Sequence, residues 1–239
     1  MALQLGTIRF IVEELLPRVE TRGKVISLSR QRLTCPRQEL ADYLTSVGFE
    51  TPLPDRDKLT SRDLFPVLGF ERYDDVDFTP DEHCTLVHDL NKPIPDQYRG
   101  QYDLVFENGT IEHIFDIKTV FANLIAMTKV GGVIFHLSPQ DLVNHGFYNF
   151  GPTTFYDVYR CNGFGPLTFY HVDFPEKWWK NPNLFYRRID FSPGRIKPES
   201  PKGYFPLLGV IAVKERDLDE FVVPQQAIYD PAEQIEPVF

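Results

Sequence analysis

The sequence predicts an α/β protein whose sheet is largely parallel and covered on both sides. Short apolar, β-branched runs alternate with segments of helical period, and the stretches between successive strand candidates are long enough to cross back over a sheet. Glycines or prolines stand where each helical pattern stops. In order, Ile8, Ile11, Val12, Leu15 and Leu16 form an amphipathic stripe that ends at Pro17, a packing element rather than a site. Residues 24–29 form the first strand candidate, and a helix is expected over 36–47, ending near Gly48. A polar stretch over 51–57 precedes a second helical segment at 58–68, which Gly69 closes. Strand candidates follow at 73–78, 85–90, 102–107 and 133–137. Between the last two, Val120, Phe121, Leu124, Ile125 and Thr128 share one face of a helix over 117–129, ending at Gly131-Gly132. A further strand is expected at 207–213. In sheets of this type ligands sit beyond the carboxyl ends of the strands, here Ser29 to Gln31, Asp77, Asp89, Glu107 to His113 and Ser138 to Tyr148.

Composition narrows the function classes. The 239 residues are 42% hydrophobic and 25% charged, enough to bury a full core in one domain. A formal charge of −9 excludes a surface that grips nucleic acid or an anionic membrane throughout. The longest apolar run, residues 207–213, is far short of the roughly 20 residues that span a bilayer. Glu13 and Glu14 interrupt the first apolar stretch, so it does not read as a secretory signal. Cys35, Cys84 and Cys161 form no CxxC pair, which fits free thiols in a cytoplasmic protein without structural zinc. Residues 174–204 are locally basic and aromatic, an insertion or lid that includes Trp178 and Trp179, and residues 214–239 read as an acidic tail.

The stretch from Tyr102 to His113, Tyr-Asp-Leu-Val-Phe-Glu-Asn-Gly-Thr-Ile-Glu-His, is followed by an amphipathic helix and by Lys129-Val-Gly-Gly-Val-Ile-Phe-His136. This succession resembles the centre of class I S-adenosylmethionine-dependent methyltransferases. His88 to Pro95 and His145 to Phe150 resemble a bacterial group of methyltransferase-like proteins, and the likeness covers residues 22–172. The resemblance implies a Rossmann-like, doubly wound sheet of seven strands with the last, near the C-terminus, antiparallel. It also implies S-adenosylmethionine as cofactor. The sequence departs from the family in the loop after the first strand, where Ser27-Leu-Ser-Arg-Gln31 replaces a glycine-rich turn. Ser29, Arg30 and Gln31 either offer polar contacts to the cofactor or fill its space.

By that resemblance Asp77 accepts hydrogen bonds from the ribose hydroxyls, with Asp74 and Asp75 as open alternatives, and Asp89 lies near the adenine. The bland alternatives are a solvated acidic run and an Asx turn before Pro93. Glu107, Asn108 and Gly109 pass beneath the cofactor. Glu112 reads as a helix-capping acid, and His113 either packs on the sheet or contacts substrate. His145 lies where substrate enters, and an imidazole titrates close enough to neutrality to take a proton from an acceptor; the plain reading is a loop histidine with structural hydrogen bonds. Tyr148, Trp178 and Trp179 are candidate substrate contacts, the tryptophans otherwise belonging to a packed lid. His136, within an apolar strand, reads as a core residue. His83, His88 and His171 show no ligand spacing, so no metal is expected.

The leading expectation is therefore methyl transfer to an oxygen or nitrogen of a small-molecule or saccharide-like acceptor. The alternative is a non-catalytic scaffold of the same fold, and a third reading is a nucleotide or RNA binder working through the basic aromatic segment.

Overall fold

The computed structural model describes residues 2–81, 83–177, 179–181, 183–191 and 199–229. Its eight strands are β1 (Lys24–Leu28), β2 (Arg72–Asp77), β3 (Leu86–Val87), β4 (Tyr102–Asn108), β5 (Thr128–Pro139), β6 (Phe164–Pro175), β7 (Phe185–Ile189) and β8 (Tyr204–Lys214). They form one sheet in the order β3-β2-β1-β4-β5-β8-β6-β7. β1 to β5 are mutually parallel, with Val25 opposite Leu104 and Leu28 opposite Val76. β8 lies antiparallel between β5 and β6, and β7 is antiparallel to β6 at the edge. The order reverses between β1 and β4, which sets a crevice at their carboxyl ends.

Burial on both faces explains the apolar strands. Val25, Leu104, Phe106, Val133 and Phe135 point to one side, where the N-terminal helix, α2 (Arg37–Ser46) and α3 (Ser61–Val67) cover them. Ile26, Val105 and Ile134 point to the other, under α4 (Ile117–Met127) and α5 (Pro152–Cys161). Phe106 stacks on Phe135 and meets Phe65 edge-on, both at 5.1 Å, contacts of about 0.5–1.5 kcal/mol each beyond area burial.

Local signals place the helices. Thr60 and Asp63 form a capping box that starts α3, later than the expected residue 58. Asp116 accepts from the Thr119 amide (3.1 Å) at the start of α4. Buried Lys214 donates to the carbonyls of Ile125 and Thr128, both at 2.8 Å, and so satisfies the other end of α4. The N-terminal stripe is helical but irregular, α1 (Leu5–Phe10) continuing as a π turn over Ile11–Leu15 and a 3-10 turn over Leu16–Arg18.

Three expectations about elements need correction. The sheet has eight strands rather than seven, and two of them, β7 and β8, run against the rest. β7 comes from the segment expected to be an insertion or lid: its run Phe185-Tyr186-Arg187-Arg188-Ile189, exposed at Phe185, Arg187 and Arg188, suits an edge strand hydrogen-bonded to β6. β3 is only Leu86–Val87, because the Thr85 amide turns to Asp75 and Asp89 closes an Asx turn with the Asn91 amide. No helix among the described residues is long and apolar enough to cross a membrane.

Candidate functional site

The crevice is built by the loops after β1, β2, β4 and β5. Ser29 leaves β1 in the left-handed region at φ 61°, the conformation a glycine would adopt freely, and Gly109 leaves β4 at φ 72°. Between these turns the floor is polar. Buried Gln31 donates to Ser29 Oγ (2.8 Å) and accepts from Asn108 Nδ2 (3.2 Å). Thr110 Oγ1 donates to the Leu28 carbonyl at 3.1 Å. Side chains thus occupy the space a glycine-rich turn leaves open, and they tie β1 to β4.

The acidic run of β2 separates into distinct roles. Asp75 is fully buried: it accepts from Arg30 Nε (2.7 Å), the Thr85 amide (2.7 Å) and Arg62 (3.3 Å). Arg30 also donates to the His83 carbonyl (3.0 Å), so it clasps the loops after β1 and β2 together. Asp74 is buried, pairing with Arg72 and accepting from Tyr102 OH at 3.1 Å. Asp77, half-buried at the end of β2, accepts from the Thr79 amide (3.1 Å) through one oxygen. Asp89 faces Asn91 and Lys92, and the Asn91 hydrogen bonds hold its carboxyl below the usual range.

Glu107 turns into the core. It accepts from the Thr110 amide (2.7 Å), Ser138 Oγ (3.1 Å) and His136 Nδ1 (2.9 Å), while His136 Nε2 accepts from Tyr159 OH (2.5 Å). Glu107 and His136 are both fully buried, and burial raises the Tyr159 hydroxyl far above its ordinary value. This chain of hydrogen bonds braces β4, β5 and α5 beneath the crevice. His136 is the core residue its apolar strand predicts.

Beyond β4 and β5 the structure assembles a second group. Glu112 Oε1 lies 3.3 Å from His145 Nε2 and 3.8 Å from His113 Nε2, and the two imidazole rings meet edge to face at 4.9 Å. The backbone holds the group in place: the Phe147 amide donates to the Glu112 carbonyl (2.7 Å), and a Cβ on Gly146 would fall 2.7 Å from that oxygen. Asn144, at φ 60°, turns the chain into this contact. Burial, with Glu107 adding repulsion, raises the Glu112 carboxyl to about 8. Burial and the neighbouring His145 lower His113 below the usual imidazole value. Phe115 and Phe147 are 70% and 64% exposed beside the cluster and pack on each other at 5.4 Å, while Tyr148 donates to the Phe115 carbonyl (2.7 Å).

The crevice thus gathers Ser29, Asp77 and Gly109, with His113, His145 and Tyr148 on its β5 side; Gln31, Glu107 and Asn108, expected to touch a cofactor, are instead buried beneath it, and Arg30 is committed to Asp75. Asp89 lies on the β3 side. Trp179 is 63% exposed, and Trp178 lies outside the described residues. Sequence reasoning missed Glu112 as a partner of His145, since the two are far apart along the chain. It also did not single out Phe115. Among the described residues, cavities elsewhere include one of about 510 Å³ at the amino ends of the strands, lined by Arg99, Ile125, Lys214 and Phe221, one of about 450 Å³ beside α2, and one of about 360 Å³ between α5, β6 and β7. The switch point of a doubly wound sheet is the stronger guide, and it points to the crevice.

No family model and no curated protein matches the sequence. Solved structures with similar folds include the CMeT domain of the citrinin polyketide synthase, at 10% identity and TM-score 0.49, covering 88% of this chain and 52% of that one. Another is the 1,6-didemethyltoxoflavin-N1-methyltransferase of Burkholderia thailandensis with bound S-adenosylhomocysteine, at 12% identity and TM-score 0.43, covering 87% and 82%. A third is the branched-chain polyamine synthase of Thermus thermophilus in complex with N4-aminopropylspermidine and 5'-methylthioadenosine, at 13% identity and TM-score 0.44, covering 92% and 58%. The chain spans about half the length of the first of these. By its strand order, its reversal between β1 and β4 and its antiparallel strand beside β5, the protein has a Rossmann-like, doubly wound α/β fold.

Proposed function

We propose that the protein is a class I S-adenosylmethionine-dependent methyltransferase that methylates an oxygen or nitrogen of a small-molecule or saccharide-like acceptor. The observation that carries this reading is Asp77, a half-buried carboxylate on the last residue of β2 beside the crevice where the strand order reverses. The donor set fits a nucleoside with an amino-acid tail. Asp77 would accept from ribose hydroxyls, and Asp89 stands on the adenine side. Ser29 presents its hydroxyl where a glycine turn presents backbone, and buried Gln31 and Asn108 support it from below. Arg30, through Asp75, and Glu107, through His136, hold that floor in place.

Bound there, the cofactor supplies an electrophilic methyl on a sulfonium sulfur. The chain's own contribution is chiefly positioning. Phe115, Phe147 and Tyr148 offer an aromatic rim against which a ring-shaped acceptor can lie, with His113 beside it and Trp179 a further candidate contact. His145 Nε2, when free of other ligands, takes the acceptor's proton. The net charge of −9 disfavours a nucleic-acid acceptor, and three free thiols suit a reducing cytoplasm.

The test is calorimetric titration with S-adenosylmethionine and S-adenosylhomocysteine, after mass spectrometry for co-purified ligand. Saturable micromolar binding that Asp77→Ala weakens at least about tenfold, the worth of one hydrogen bond to a charged group, is expected. Absence of binding by the folded protein at millimolar ligand would overturn the proposal and leave the non-catalytic scaffold.

A further inference from the structure

We infer that Glu112, His113 and His145 form a binding site for one divalent first-row transition-metal ion at the acceptor side of the crevice. Each offers one ligand atom, and the three lie within 4.8 Å of one another. With metal–ligand bonds of about 2.0–2.1 Å, the edge of a tetrahedral site is about 3.3 Å. The separation of Glu112 Oε1 and His145 Nε2, 3.3 Å, already has that length, and His113 Nε2, at 3.8 Å from the carboxylate, must close by roughly half an ångström to reach the same edge. The two imidazole ligand atoms lie within 4.8 Å of each other and must also draw together, which χ rotation of these partly exposed rings allows.

A second observation, independent of the spacing, points to a cation. The Glu112 side chain is fully buried, and neither carboxylate oxygen has a hydrogen bond. A carboxylate removed from water without donors is costly, and a metal ion is the partner that both repays that cost and uses the imidazoles as they stand. The backbone contacts of Glu112 with Gly146 and Phe147 hold the two ligand-bearing loops together without the ion. Two imidazoles with one carboxylate select zinc, manganese, iron, cobalt or nickel over magnesium and calcium, which take all-oxygen shells.

Three protein ligands leave coordination positions open, and the Phe115–Phe147 pair stands on the same two loops as the ligands. What the ion does there rests on the methyl-transfer reading: an acceptor hydroxyl on the open position is acidified by the ion's charge, and His145 is then a ligand rather than the base. The site itself needs no cofactor.

The test separates the two readings because it is run without S-adenosylmethionine. The full chain is stripped with chelator, then titrated with Co(II) by visible absorption and with Zn(II) by calorimetry. One equivalent should bind, with the d–d bands of nitrogen and oxygen ligation. Glu112→Gln, His113→Ala and His145→Ala should each weaken binding by at least about tenfold while circular dichroism is unchanged. The proposal is overturned by unaltered affinity in the folded Glu112→Gln and His145→Ala variants, by thiolate charge-transfer bands, or by no stoichiometric binding.

Discussion

Glu112 shows how far a single residue's meaning depends on its surroundings. In the sequence it is one acid beside a histidine; in the structure it is buried, with its carboxyl raised to about 8 by desolvation and by Glu107, and it faces His113 and His145. A carboxyl whose folded pKa exceeds its unfolded value costs nothing while both states are protonated. Its ionisation penalty develops as pH rises from the ordinary 4.5 through about 8. The metal-stripped protein should therefore lose stability over that window, and Glu112→Gln, which cannot ionise, should lose less. Thermal melts in chelator should show the variant's Tm advantage growing from pH 5 to pH 9. An advantage independent of pH would refute the assignment.

Asp74, Asp75 and Asp77 make the same point among acids. The sequence marks the run, and packing divides it into two buried ion-pair residues and one half-buried carboxylate at the crevice. No local pattern separates them: Arg72 and Thr79 are local partners of Asp74 and Asp77, but the contacts that bury Asp74 and Asp75 come from Tyr102, Arg30 and Thr85 on other elements.

Among the elements, the bracing of β4, β5 and α5 runs through Glu107, His136 and Tyr159, all fully buried. Tyr159→Phe keeps the ring's packing and leaves His136 Nε2 without a donor. It should cost about 1–3 kcal/mol in urea unfolding with an unchanged m-value. A loss below about 0.5 kcal/mol, less than the net worth of an ordinary hydrogen bond, would mean that the hydroxyl contributes little. The central elements β1, β2, β4, β5, α2 and α4 were legible because burial on two faces demands apolar strands and an apolar helix stripe. α5, β6 and β7 were not. β6 contains Gly165 and Pro166, and the exposed aromatic and arginine residues of β7 have the texture of a surface segment until β6 pairs with them.

For the molecule as a whole, the sheet order predicts a gradient of local stability. β1, β4, β5 and β8 have neighbours on both sides, whereas β3 and β7 are edges. Native-state hydrogen exchange should find the slowest amides in the former and the fastest strand amides in the latter. Uniform protection across the sheet would contradict this arrangement.

The α/β class, the central strands, the helical crossovers and the strand ends that form the crevice follow from the order of residues along the chain, because periodicity and punctuation are local properties. The eighth strand, the polar floor through Gln31 and the meeting of Glu112 with His145 arise from folding alone. Each depends on groups distant in sequence, and only the closed sheet, with its loops gathered at one end, brings them within hydrogen-bonding distance of each other.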